Sequence, residues 1–264
     1  MSIIEALLLG LLQGATEFIP VSSSGHLLLV QEIFGIDGGG LRYDVALHIG
    51  TLVAILLYFW RDLLQIVKDI IFGGSYRRVG WLLVIATVPA AFFGALLQDA
   101  AESSFRSGYL AAFNLAFVGL LMLLAEHLAS DKPQADVAQT SLKQAVVIGV
   151  SQALALVPGV SRSGSTITAG LFMGLDRVAA TRFSFLLAVP IMIGAILKVV
   201  VFDSGSVLAS SGSGVVLAGI AASMVSGLLA IRFLLRFLAH HSLATFAYYR
   251  IGLAVLTVIF LTIR

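Results

Sequence analysis

Gln13 and Glu17 stand four residues apart, so on a helix both face the same point one turn apart. Behind them come Pro20, Ser22, Ser23, Ser24, Gly25 and His26. Serine hydroxyls can attack an electrophilic centre, and imidazole moves protons near neutrality. A second polar run, Pro158-Gly159-Val160-Ser161-Arg162-Ser163-Gly164-Ser165-Thr166, adds a guanidinium, the planar and permanently charged fork that matches phosphate oxygens two at a time. Taken together, the two runs offer a nucleophile, a proton carrier, a carboxylate and a fixed positive charge. That set suits phosphoryl transfer.

The two runs are related. At a constant offset of 139 residues, Gly10, Gln13, Ser22, Ser24 and Gly25 recur as Gly149, Gln152, Ser161, Ser163 and Gly164. We read them as duplicated halves of one anion site, with helices expected to begin near His26 and near Thr166, the latter capped by Ser165 or Thr166. Helix N-termini aimed at one cavity favour a phosphate. A carboxylate at membrane depth calls for a partner, and Arg162 is the expected one for Glu17. His48, His127 and the pair His240-His241 lack comparable neighbours in sequence and read as structural or interfacial. Arg250, beside Tyr248 and Tyr249, is expected near a helix end, snorkelling to headgroups.

The elements that must position these groups are membrane helices. Of 264 residues 59% are hydrophobic and only 11% charged, against about 25% charged in soluble domains. Six apolar runs, roughly 43–60, 79–98, 109–127, 183–202, 214–238 and 246–263, approach the ~20 residues a span requires. Two others are too short. Residues 3–12 stop before Pro20, and 145–157 break at Pro158-Gly159, so residues 3–34 and 143–175 are expected to form re-entrant helical hairpins.

The net charge of +2 gives no reason to expect nucleic acid, and the absence of cysteine removes disulfides, thiolate metal sites and cysteine nucleophiles. The start lacks a positively charged signal region, so the N-terminus is expected to be kept. With segment 61–78 placed inside, ten Lys and Arg residues fall on the cytoplasmic side against three or four outside, as the positive-inside rule requires. The hairpins then dip from opposite faces. The expected architecture is an all-α polytopic membrane protein, a single domain over 1–264. Its six transmembrane helices and two re-entrant hairpins form an inverted repeat of about 1–127 and 143–264. The small-residue face around Gly219 and Gly227 permits close helix contact, within one chain or in a homodimer.

The motifs Gln-x-x-x-Glu, Pro-Val-Ser-Ser-x-Gly-His and Pro-Gly-x-Ser-Arg-Ser-x-x-Thr, here Gln13–Glu17, Pro20–His26 and Pro158–Thr166, resemble those of the undecaprenyl-diphosphate phosphatase family of bacterial membranes, known for bacitracin resistance. The resemblance implies removal of the terminal phosphate from a C55 polyprenyl diphosphate, which recycles the lipid carrier of peptidoglycan synthesis. It implies the bacterial cytoplasmic (inner) membrane, a site opening to the outer or periplasmic face, and a divalent cation, Mg²⁺ or Ca²⁺. Carried over by motif position, the functional residues are Gln13, Glu17, Ser23, His26 and Arg162, with Ser161, Ser163 and Thr166 as phosphate contacts. Ser22, Ser24, Gly25 and Gly164 complete the expected cradle. Gln13 and Glu17 are the expected metal ligands, Gln13 replacing the second glutamate of many members. Expected roles are attack by Ser23, proton transfer by His26, and orientation of His26 or of a cation by Glu17. Water or His26 as nucleophile is the rival assignment. A polyprenyl-phosphate flippase would use a similar inverted-repeat site.

Overall fold

The structure, a computed structural model, describes residues 1–34, 40–96, 107–129, 137–202 and 213–263. Most of the expected glycine loop, and Arg106, Lys132 and Arg264 of the charge count, lie outside the described residues. Among those described, every regular element is helical: α1 (Ile3–Phe18), α2 (Ser23–Phe34), α3 (Gly40–Tyr58), α4 (Trp60–Phe72), α5 (Arg77–Leu96), α6 (Gly108–Leu128), a 3-10 turn (Val137–Gln139), α7 (Leu142–Leu154), α8 (Arg162–Phe172), α9 (Arg177–Phe202), α10 (Ser213–Leu238) and α11 (Ala244–Ile263).

The two short helices start by the same device. Ser2 Oγ accepts the Glu5 N–H at 3.3 Å while Glu5 Oε2 accepts the Ser2 N–H at 2.7 Å. Ser141 and Gln144 repeat that capping box at 3.2 and 2.7 Å. α1 ends at Phe18, two residues before Pro20. α7 ends at Leu154, three residues short of the expected Val157, and the chain turns through 155–160 before α8.

Five helices, α5, α6, α9, α10 and α11, are long and apolar enough to cross a membrane. A sixth span is counted if α3 and α4, bent by 75° at their junction, are taken together. The chain is a multi-pass membrane protein. Its outer surface fits that solvent: Phe92, Leu120, Leu229 and Leu256 are each about 60% exposed, a poor arrangement in water and a favourable one among acyl chains.

The packing exchanges partners between the two halves of the chain. α1 lies against α10, and α7 lies against α5. Both contacts are backbone-close: a Cβ at Gly10 would overlap Gly219 O, and one at Gly149 would overlap Ala86 O. The small-residue face of α10 is therefore filled inside the chain, with Gly219 against Tyr43 and Ala6, and Gly227 against Ala54 and Phe18.

Candidate active site

Each hairpin turns on a serine. Ser22 has φ 75° and Ser161 φ 72°, the only non-glycine residues with positive φ among those described. Left-handed backbone is uncommon away from glycine, so its recurrence at the two duplicated positions is a shared local design. In each copy the serine Oγ accepts an N–H three residues on, from Gly25 at 3.3 Å and from Gly164 at 3.0 Å. In each copy it also lies 3.3 Å from the hydroxyl of the serine two residues on, Ser24 or Ser163. Helices consequently begin at Ser23 and Arg162, earlier than the expected His26 and Thr166, and the second cap is Ser161 rather than Ser165 or Thr166. The amides of Gly25 and Gly164 are occupied by these caps. The first amides of each helix, on Ser23, Ser24, Arg162 and Ser163, have no preceding intrahelical carbonyl to bond.

Glu17 is the meeting point. Its carboxylate is 7% exposed, and Oε1 accepts from Arg162 Nη2 at 3.1 Å. Oε2 accepts the Ser23 hydroxyl at 2.7 Å and the Gln13 amide at 3.1 Å. The Glu17–Arg162 pair joins the two duplicated motifs, as the sequence led us to expect. Ser163 Oγ adds a second tie, donating toward Glu17 O and Ile19 O at 3.3 and 3.4 Å. A cavity of about 220 Å³ opens over this cluster, lined by Glu17, Ser23, Ser24, Ser161 and Arg162, with an apolar wall including Val45, Ile191 and Met192. Arg162 also donates to Ser184 O at 3.4 Å, whereas its buried Nε–H has no acceptor among the described residues. A buried guanidinium with a free donor is poised for an anion.

Other expected site residues lie elsewhere. Thr166 Oγ1 bonds Arg162 O at 2.7 Å and meets Ser184 Oγ at 2.6 Å, and Ser165 bonds the carbonyl of Arg162. His26 does not line the cavity. Its Nδ1 lies 2.8 Å from Ser22 O, which can only accept, so Nδ1 carries hydrogen and Nε2 accepts from the Tyr249 hydroxyl at 2.7 Å. The ring also stacks on Tyr249, with centroids 5.7 Å apart. The group touching the Ser23 hydroxyl is Glu17, where His26 had been expected.

Two residues read as peripheral are central. His48 lines the cavity, with Nε2 3.5 Å from Glu17 Oε2 and Nδ1 held 2.7 Å from Asp44 O. Arg250 is fully buried rather than at the headgroups. It donates to Pro20 O of the first loop, to Gly159 O and Val160 O of the second, and to Asn114 O and Leu115 O of α6, at 2.8 to 3.3 Å. The available signal was position: each interrupts an apolar helix well inside its ends, where a polar side chain needs a reason.

The donor set does not suit a cation held by Gln13 and Glu17. Gln13 presents its amide N–H₂ to the carboxylate and keeps its buried Oε1 without a partner among the described residues, while both carboxylate oxygens already accept from donors, one of them the Arg162 guanidinium. No group of three His, Cys, Asp or Glu side chains fit for a metal occurs among the described residues. One carboxylate facing an arginine and one amide oxygen are too few to hold a hard divalent cation without waters and substrate phosphate oxygens completing its shell.

A family model described as "Bacitracin resistance protein BacA" matches residues 6–256. The chain belongs to that family. A curated relative from Rubrobacter xylanophilus, named undecaprenyl-diphosphatase, is 48% identical over 97% of each chain. Another of that name from Moorella thermoacetica is 43% identical over 98% of this chain and 97% of its own. A third, from Geobacter metallireducens, is 43% identical over 98% of this chain and 99% of its own. The likeness of this BacA-family chain to them thus takes in both hairpins and the spans between.

Proposed function

We infer that the chain is an undecaprenyl-diphosphatase, a membrane hydrolase that converts a polyprenyl diphosphate to its monophosphate and inorganic phosphate. The observation carrying this reading is the Ser23–Glu17–Arg162 chain of contacts at the mouth of a half-apolar cavity, joined to the full-length likeness to enzymes of that name. The diphosphate seats on Arg162 and the first amides of α2 and α8, and the prenyl tail runs along the Val45, Ile191 and Met192 wall.

The Ser23 oxygen attacks the terminal phosphorus and its proton passes to Glu17 Oε2, already 2.7 Å away. The bridging P–O bond breaks, the prenyl monophosphate leaves as the anion, and Arg162 balances the charge on the transferring phosphoryl group. Water then cleaves the seryl phosphate and releases inorganic phosphate. Before substrate arrives, Arg162 Nη2 is engaged by Glu17 while its Nε–H has no acceptor among the described residues. A terminal phosphate draws the guanidinium to itself, which removes positive charge from beside the carboxylate and makes it a better proton acceptor. His48 steadies Glu17 from the opposite side, and the His26–Tyr249 pair holds the first loop. A divalent cation, supplied with the substrate rather than held by Gln13 and Glu17, would offset negative charge on the leaving phosphate.

In this reading the chain is one domain of six spans and two hairpins in inverted repeat. It sits in the bacterial inner membrane with its site open to the outer face. The swapped packing of α1 and α7 and the repeated serine turns support it. Two measurements test the function. Release of inorganic phosphate by purified protein in detergent, where no second compartment exists, separates hydrolysis from transport. Labelled phosphate should be trapped on the wild type and not on Ser23→Ala, and substantial turnover by that variant sinks the serine route.

A further inference from the structure

A second, larger cavity of about 580 Å³ lies at the other end of α3 and α9. Its lining includes Asp62, Arg182, Arg236 and His240, over a floor that includes Phe59 and Leu235. Along α3 it is reached from Val45 by the 13 residues to Tyr58, and along α9 from Met192 by the 10 residues back to Arg182. At ~1.5 Å per residue the two cavities are ~15–20 Å apart. They are separated by packed rings. Phe18, next to Glu17, meets Phe185 at 5.3 Å, and Phe185 meets Phe59 at 6.3 Å, all three buried. The second cavity is therefore no extension of the first.

Its charge is arranged. Arg182 bonds Asp62 at 2.6 Å and lies over the Phe59 ring at 5.9 Å, so the guanidinium is held in place with donors left over. Asp62 is engaged by that contact. Arg236 and His240 come from the last turn of α10 and the turn that follows it, both exposed. On α10, Leu229, Phe233 and Arg236 follow one stripe at steps of four and three, and His240 continues it at a step of four in the turn that follows. Leu229 is 64% and Phe233 48% exposed. The stripe thus runs from bare apolar surface at membrane depth to basic groups at the cavity, which is the profile of an acyl chain ending in an anionic head.

We propose that this cavity is a binding site for an anionic phospholipid, its headgroup phosphate between Arg182 and Arg236 and an acyl chain along Leu229 and Phe233. Arginine is the side chain suited to such a phosphate, and basic pockets between spans take anionic heads. The site is independent of the hydrolysis read above.

The test uses the whole chain in lipid nanodiscs, with bound lipid counted by native mass spectrometry and thermal protection followed in parallel. Phosphatidylglycerol should be retained at one or more copies per chain and at least fivefold more than phosphatidylcholine. The double substitution Arg236→Gln with His240→Gln should remove that preference while leaving phosphate release from substrate unchanged. Arg236→Lys with His240 intact should keep most of it, which separates charge loss from misfolding. Equal retention of the two lipids, or an unchanged preference in the double variant, overturns the proposal. Protection of the wild type by inorganic phosphate as strongly as by phosphatidylglycerol would also overturn it, because the cavity would then recognise the free anion.

Discussion

Replacing Arg162 by lysine preserves charge and removes shape. The guanidinium holds Glu17 at 3.1 Å and Ser184 O at 3.4 Å through different nitrogens and still has its Nε–H free for substrate. An ammonium on a shorter reach can keep the Glu17 contact or turn to the phosphoryl group, and cannot present two parallel donors to it. At least one charge-assisted hydrogen bond is lost in the transition state, at ~1.5–3 kcal/mol, and each ~1.4 kcal/mol is a factor of ten in rate. Turnover in Arg162→Lys should fall about 10- to 150-fold, and in Arg162→Ala further, since Glu17 Oε1 would then also lose the guanidinium that it accepts from. Inorganic phosphate release from a short-chain prenyl diphosphate in detergent measures both. The loss should appear in kcat as well as in kcat/KM, because the fork matters most when charge spreads over the transferring group. Retention of more than half of wild-type turnover by Arg162→Lys would contradict the assigned role.

Other expectations follow from the same contacts. Glu17→Gln removes the acceptor of the Ser23 proton and should lower kcat by ~10²–10⁴, the usual range for a general base; a variant within threefold of wild type would remove Glu17 from that role. His48→Ala, which leaves Ser23 and Arg162 in place, should cost less than Glu17→Gln, and a larger loss would make His48 the principal proton acceptor. Arg250→Met strips the donors from five carbonyl oxygens of the loops and α6. Unmade buried hydrogen bonds cost ~1–3 kcal/mol each, so thermal unfolding in detergent should shift down by many degrees, and an unchanged midpoint would refute the clamp. Gly149→Ala should destabilise the chain through its overlap with Ala86 O, seen as a lower unfolding midpoint than for the control Gly252→Ala, where a Cβ meets nothing within 4 Å.

Five of the spans were legible because apolar length alone nearly determines them, and the short helices α1 and α7 because Pro20 and Pro158 follow them; the run at 43–60 gave no sign of the 75° bend between α3 and α4. The Glu17–Arg162 pair followed from the cost of burying either alone. Helix starts inside the site were misplaced for a specific reason. Ser22 and Ser161 adopt a left-handed turn that glycine or asparagine would announce, so the sequence directs attention to later serines as caps. Geometry also reassigned the histidines. His26 sits within the motif but its ring bonds Tyr249, 223 residues away, while His48 reaches Glu17 from a helix whose hydrophobic pattern gave no hint of the direction it faces. Arg250 was misread because an arginine beside two tyrosines resembles a headgroup anchor, and its five acceptors come from three separate segments.

The exchange of packing partners bears on how the chain is made. α1 emerges first, but the helix it lies against, α10, begins at Ser213 and is synthesised after most of the chain. α7, by contrast, finds α5 already inserted. α1 and α2 must therefore wait with the glycine face of α1 uncovered, and the Glu17–Arg162 contact can form only after α8 has been translated. Amino-terminal and carboxy-terminal halves produced as separate polypeptides should each be incomplete, and should regain hydrolysis when co-expressed.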